Sequence, residues 1–335
     1  MSKRVGKQTI LLEKDVYISG CAGVVGKKEG DGPLSKYFDK IFEDEYLGQP
    51  SFEAAESQLI KHAVSIATQK SGNEIKDIDL IVIGDLLDQS ISSTFGIKDF
   101  MRPHIGLFGA CSTCALSMGL GSLLVENSVA NTALAATSSH FCTAERQFRF
   151  PLQYGSKRTP NSQRTVTGSG AFVLKQGTNG VKIKSVTFGK TKDYDITDAN
   201  NMGAAMAPAA ADTIKVYLED TNSQPSDFDL ILTGDLGKIG TKLLIELLKG
   251  ENIDISSVHD DCGLMIFDVD DKDFAAGGSG CGCSASVLST YIMDKFSSGE
   301  LKRILFVGTG ALLSPTSTSQ GYSIPSIAHL VELSL

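Results

Sequence analysis

Short apolar runs closed by glycine and a carboxylate, each preceded by a longer stretch with helical spacing of apolar positions, set the rhythm of this chain. LIVIGD (80–85) and LILTGD (230–235) read as buried strands that end in tight turns. SFEAAESQLIKHAVSIATQK (51–70) precedes the first and predicts a helix with Ser51 as its N-cap. APAAADTIKVYLED (207–220) precedes the second and predicts a helix of the same kind.

The two segments repeat each other. At an offset of 150 residues, Asp77, Asp79, Leu80, Ile81, Gly84, Asp85 and Leu86 meet identical residues at 227, 229, 230, 231, 234, 235 and 236. A weaker echo relates 110–139 to 281–311 at an offset of 172, setting Cys111 opposite Cys283. In both copies Cys-Ser opens an amphipathic helix, and an apolar strand ending in a small-residue loop follows. Two echoes in the same order imply duplication. The expected fold is α/β, with a parallel-rich sheet covered on both faces and two halves, 1–176 and 177–335, about a pseudo-two-fold axis. A site in such a fold lies where strand ends and helix starts converge.

Composition narrows the function classes. The net charge is −8 over 335 residues, with no Lys/Arg run, which argues against a nucleic-acid partner. The opening MSKRVGKQTILLEKD lacks the apolar stretch of a signal peptide, and no segment approaches the roughly 20 apolar residues of a membrane span. Seven cysteines, an odd number, fit a reducing compartment better than a disulfide framework. The expectation is a cytoplasmic protein, or one held peripherally at a membrane by another protein.

The candidate chemistry centres on Cys111, placed where GACSTCALSM enters a helix. A helix start favours a thiolate nucleophile, while the small neighbours equally suit a buried, inert cysteine. Cys114 reads as core one turn on, and Cys142, Cys262, Cys281 and Cys283 form no paired zinc pattern with histidines. Of five histidines, His140 and His259 remain as candidate bases. The segment 140–150 adds Arg146 and Arg149, which share a face if it is helical; they serve either an anionic ligand or structural ion pairs. Arg164 falls in a polar stretch that reads as surface loop. GGSGCGCSA (277–285) can offer backbone N–H groups to a carboxylate or pack tightly against a helix.

GACSTCALSM, DCGLM and GGSGCGCSA, in this order, resemble the thiolase superfamily, including the β-ketoacyl synthases. That resemblance implies a duplicated five-layer αβαβα fold. FGACST, AATSSHFCTAERQFRFPLQYG, MAPAAADTIK, HDDCGLMI and GTGALLSPT resemble more closely the stage V sporulation protein AD family of spore-forming bacteria. This resemblance implies non-enzymatic binding of dipicolinic acid (pyridine-2,6-dicarboxylate), with or without calcium, for uptake into the developing spore. It implies other stage V A proteins as partners at the spore inner membrane, a homodimer through the central strands, and no cofactor or resident metal. Cys111 takes the superfamily's nucleophile position, His259 its catalytic histidine, and Ser279 the place of an Asn or second His. Serine has neither imidazole's basicity nor an amide's fixed donors. The implied ligand set is therefore Cys111, Ser139, His140, Arg146, Arg149, His259, Ser279 and Gly280 around a vestigial catalytic centre. A condensing acyltransferase using Cys111, and a structural partner of a spore membrane channel, stand as alternatives.

Overall fold

The computed structural model describes residues 2–149 and 159–335, with the side chains of Asp88 and Arg149 also outside the description. The first half contributes β1 (Thr9–Gly26), α1 (Phe52–Lys70), β2 (Leu80–Asp85), β3 (His104–Gly106), α2 (Thr113–Glu126), β4 (Thr132–Ser139) and β5 (Gly168–Gln176). The second contributes β6 (Val181–Phe188), α3 (Met202–Thr221), β7 (Leu230–Thr233), α4 (Gly237–Gly250), β8 (His259–Asp261), α5 (Cys281–Val287), β9 (Arg303–Ala311) and β10 (Ser326–Ser334).

These strands hydrogen-bond in the order β8-β7-β9-β10-β6-β1-β5-β4-β2-β3. Read inward from either end, the pairings are parallel, parallel, antiparallel, antiparallel. The antiparallel contact of β1 with β6 joins the halves at the middle. β2 and β7, the repeated runs, occupy matching places second from the outer edges; Ile81 pairs with Leu134 as Ile231 pairs with Leu305.

The repeated aspartates explain themselves in the same terms. Asp77 Oδ2 accepts the Glu74 N–H at 2.8 Å, and Asp227 Oδ2 accepts the Gln224 N–H at 2.8 Å, so each closes a capping box before its strand. Asp79 accepts from Asn131 and Thr132 N–H, and Asp229 from Lys302 and Arg303 N–H, each tying the strand to the start of its parallel neighbour. Ser51 caps α1 as its sequence indicates, its Oγ accepting the Ala54 N–H at 3.2 Å.

Five layers follow from alternation along the strands. Ala171 and Val173 of β5 face α1, while Phe172 and Leu174 face the middle layer. Leu305 and Val307 of β9 face α3, while Ile304 and Phe306 face the same middle layer. There α2 lies between the half-sheets and touches strands of both, with α5 against it. α1 covers one outer face, and α3 with α4 covers the other. The αβαβα order expected from the resemblance is what the chain adopts.

Close approach of α5 to β5 depends on Gly170, where a Cβ would lie 2.3 Å from the Ala285 carbonyl oxygen. Gly170→Ala must push the helix off the sheet, an overpacking that costs about 1–3 kcal/mol. We expect a lower urea midpoint with an unchanged slope; an unaltered midpoint would show that the layer yields freely.

Candidate functional site

Cys111 lies in a single helical turn, Ala110–Ser112, between β3 and α2. Thr113 fixes that turn: its hydroxyl donates to the Ala110 carbonyl at 2.7 Å and accepts the Gly109 N–H at 3.1 Å. Ala110 adopts a left-handed φ of 49°, which turns the next side chain inward, and Cys111 is 4% exposed.

The group beside the thiol is a carboxylate. Asp235 follows β7 as the closing residue of the LILTGD repeat and has no solvent exposure. Its Oδ1 accepts the Thr309 hydroxyl at 2.7 Å, and its Oδ2 accepts the Gly280 N–H at 2.7 Å. The Cys111 thiol, from the other half of the chain, lies close enough to this carboxyl for each to shift the other's pKa. Gly280 reaches Asp235 with φ 102°, and a Cβ there would lie 2.6 Å from Ser139 Oγ, so only glycine fits. Burial pushes the Asp235 pKa up, against the pull of Cys111, Thr309 and Gly280. Burial, then the Asp235 charge, pushes the Cys111 thiol well above its ordinary value, so it is protonated at neutral pH.

The twin of Asp235 has different company. Asp85 accepts the Leu87 and Ser93 N–H groups at 2.9 and 2.6 Å. Glu56, fully buried nearby, takes the Ser138 and Thr143 hydroxyls at 2.8 Å each. Burial first, and the Asp85 charge second, push the Glu56 pKa up to about 8, so this carboxyl is protonated at neutral pH.

Cys111 faces a cavity of ≈ 20 Å³, about the room of one water. Its walls are Leu86, Phe108, Ala110, Ala144, Phe148, Met202, Ala311 and Leu313, with the Cys111 thiol, Thr165 and Ser279 as polar members. No charged side chain lines it among the described residues.

Of the residues singled out in the sequence, Cys111 and Ser279 meet here, and Gly280 stands behind them with its N–H on Asp235. The others are engaged elsewhere. Ser139 is buried, its hydroxyl donating to the Val166 carbonyl at 2.7 Å and accepting the Gly282 N–H. His140 caps the turn Phe141–Ala144: Nδ1 accepts the Cys142 N–H at 3.1 Å, and Nε2–H donates to the Glu45 carbonyl at 2.9 Å. Arg146 forms an ion pair with Glu53 of α1 at the surface. His259 sits on β8 with Nε2 3.0 Å from Thr233 Oγ1, and it does not line the cavity. The Arg149 side chain lies outside the described residues. Arg164 is not in a surface loop; it pairs with Gly278 in a short parallel ladder, and its guanidinium stacks 3.8 Å over Phe141. Cys283 lies in the middle-layer core, while Cys281 is the thiol clustered with Cys111 and Ala144. Cys114 is core, as expected.

Comparison with known proteins places this geometry. The sequence model for stage V sporulation protein AD matches residues 6–334. The chain belongs to the stage V sporulation protein AD family. The stage V sporulation protein AD of Bacillus subtilis (strain 168) is 46% identical over 327 residues, 98% of this chain and 96% of that protein. Among solved structures, cerulenin-bound OleA of Xanthomonas campestris superposes with a TM-score of 0.62 at 14% identity, over 97% of this chain and 100% of that one. The 3-oxoacyl-[acyl-carrier-protein] synthase III of Aquifex aeolicus VF5 gives 0.58 at 12% identity, over 96% and 100%. These two likenesses establish the thiolase-type fold. Among the described residues no helix is long and apolar enough to cross a membrane.

The buried acids give stability a definite pH dependence. Burial pushes Glu29 and Asp261 up to about 7 and Glu56 to about 8, from ordinary values near 4. The folded chain therefore holds protons that the unfolded chain releases, and this stabilisation is lost as pH rises toward 8. His140, His259 and His329, lowered to about 4 by burial, act oppositely, and their contribution is complete above about pH 6.5. We expect the urea midpoint to fall between about pH 6.5 and pH 8, and Glu56→Gln to shrink that fall. A midpoint that holds level or rises over this range in the parent protein would contradict the assignment.

Proposed function

We propose that this chain serves sporulation as a binding protein rather than a catalyst, taking dipicolinate at the Cys111 cavity for uptake into the developing spore alongside other stage V A proteins. The observation that carries the reading is the burial of the Cys111 thiol in a cavity whose described walls hold neither a base nor a cation, with the Asp235 charge raising its pKa further. A nucleophilic thiol needs a neighbouring base or a cation that favours thiolate. A buried carboxylate does the reverse, while His259 is engaged by Thr233. The flat apolar walls suit the faces of a pyridine ring, and Thr165 and Ser279 offer hydroxyls to carboxylate oxygens. At ≈ 20 Å³ the cavity must open to admit the ring, and Phe108, exposed at 47%, is the rim group free to move. Two carboxylates leaving water need charged donors at the mouth. Arg149, next in sequence to the cavity residue Phe148, is the candidate that remains for that role.

The reading includes a homodimer, though not through the central strands. β1 and β6 are paired on both sides within the chain, so a second copy has the outer edges to join. β3 is the edge flanked by exposed Met101 and Phe108.

Acyl transfer from Cys111 is the second reading, favoured by the apolar lining, and one set of measurements separates the two. Calorimetry should show dipicolinate binding to the parent protein and at least a tenfold loss, about 1.4 kcal/mol, in Cys111→Trp, whose indole fills the cavity. Incubation with acetyl- or lauroyl-coenzyme A should leave the intact mass unchanged. A folded Cys111→Trp variant that binds like the parent would move the ligand elsewhere. A thioester on Cys111 would make the chain an enzyme.

A further inference from the structure

We infer that the corner formed by Glu45, His140 and Cys142 is a binding site for a zinc-type divalent cation. A carboxylate oxygen, an imidazole nitrogen and the thiol sulfur there all lie within 4.8 Å of one another. Glu45 Oε2 is buried without a hydrogen-bond partner, 4.0 Å from His140 Nε2. A buried carboxylate oxygen without a partner is rare in a native interior and asks for an occupant.

The donor set selects the class of ion. Thiolate, imidazole and carboxylate together suit zinc and its borderline-soft relatives, whereas magnesium and calcium take all-oxygen sites. His140, with no exposure and its pKa lowered, is neutral and can act as a ligand. Three protein ligands leave a fourth position open to water or a small anion. Coordination through Nε2 replaces the bond to the Glu45 carbonyl with a metal–ligand bond and moves the ring proton to Nδ1, so the Cys142 N–H gives up Nδ1 and turns to another acceptor. Glu45 enters as carboxylate and Cys142 loses its proton to solvent, so one proton leaves per ion bound. Such an ion would clamp the Glu45 loop to the end of β4 and the turn Phe141–Ala144, and Ala144 is a wall of the Cys111 cavity.

Cobalt(II) followed by zinc(II), added to the metal-stripped full-length protein, tests this directly. One ion per chain should bind, with a thiolate-to-cobalt charge-transfer band that zinc abolishes. Cys142→Ser should lose the band, Glu45→Gln should weaken binding at least tenfold, and zinc should raise the unfolding temperature of the parent but not of Cys142→Ser. Cys21→Ser, which changes the other half-buried thiol, should behave as the parent. Comparing unfolding in chelator shows whether each variant is folded, so lost binding is not mistaken for lost structure. Absence of the band in the parent protein, or its persistence in Cys142→Ser, would overturn the site.

Discussion

A carboxyl group without solvent exposure has to find all its hydrogen bonds inside the protein, and Asp235 finds donors on two separate elements. Thr309 comes from β9 and Gly280 from the turn into α5, while the Cys111 thiol, at the turn into α2 in the other half, lies near enough to shift its pKa. Around this one group two helix starts and one strand end meet at a common point. The Cys111 thiol sits at that point, and burial with the Asp235 charge raises its pKa.

The duplication shows how far the same residues can diverge. Asp85 and Asp235 end equivalent strands, yet Asp85 takes its backbone donors from its own half and lies beside a second acid. Asp235 also takes its donors, Thr309 and Gly280, from its own half, but its neighbour is the Cys111 thiol of the other half. The backbone symmetry of strand order and capping boxes thus supports two unlike interiors. One holds a second buried acid, Glu56, and the other borders a cavity.

Much of the fold was legible because its signals are local. The apolar runs, the Ser51 cap and the spaced aspartates each act within a few residues or on an adjacent strand, and the 150-residue offset reveals their pairing. The site was less legible because its contacts are set by side-chain direction between distant segments. Arg146 read as either a ligand donor or an ion-pair residue, and it pairs with Glu53 on α1; His140 looked like a base but spends both nitrogens on backbone groups. Arg164 lay in a polar stretch, and nothing local disclosed the Phe141 ring beneath it. Asp235 was visible in the repeat, where it read as turn punctuation rather than as the neighbour of Cys111. An identical Gly-Asp-Leu in both halves, followed by Leu87 in one and Gly237 in the other, was the signal available for it.

The packing also decides which wall of the cavity can give. Its floor is tied by Gly280 pressed against Ser139, by the Asp235 hydrogen bonds and by the Thr113 bonds around Cys111, all within the middle layer. Moving any of these would leave a buried polar group unpaired or force backbone into backbone, and close-packed interiors resist both. The rim carries no such obligations, since Phe108 is half-exposed. A ligand larger than one water therefore has to enter by displacing the rim while the floor stays fixed. On the proposed reading, the thiol and the Ser279 hydroxyl are contacts set in advance by the fold, and the rim is where the cavity adapts to its ligand.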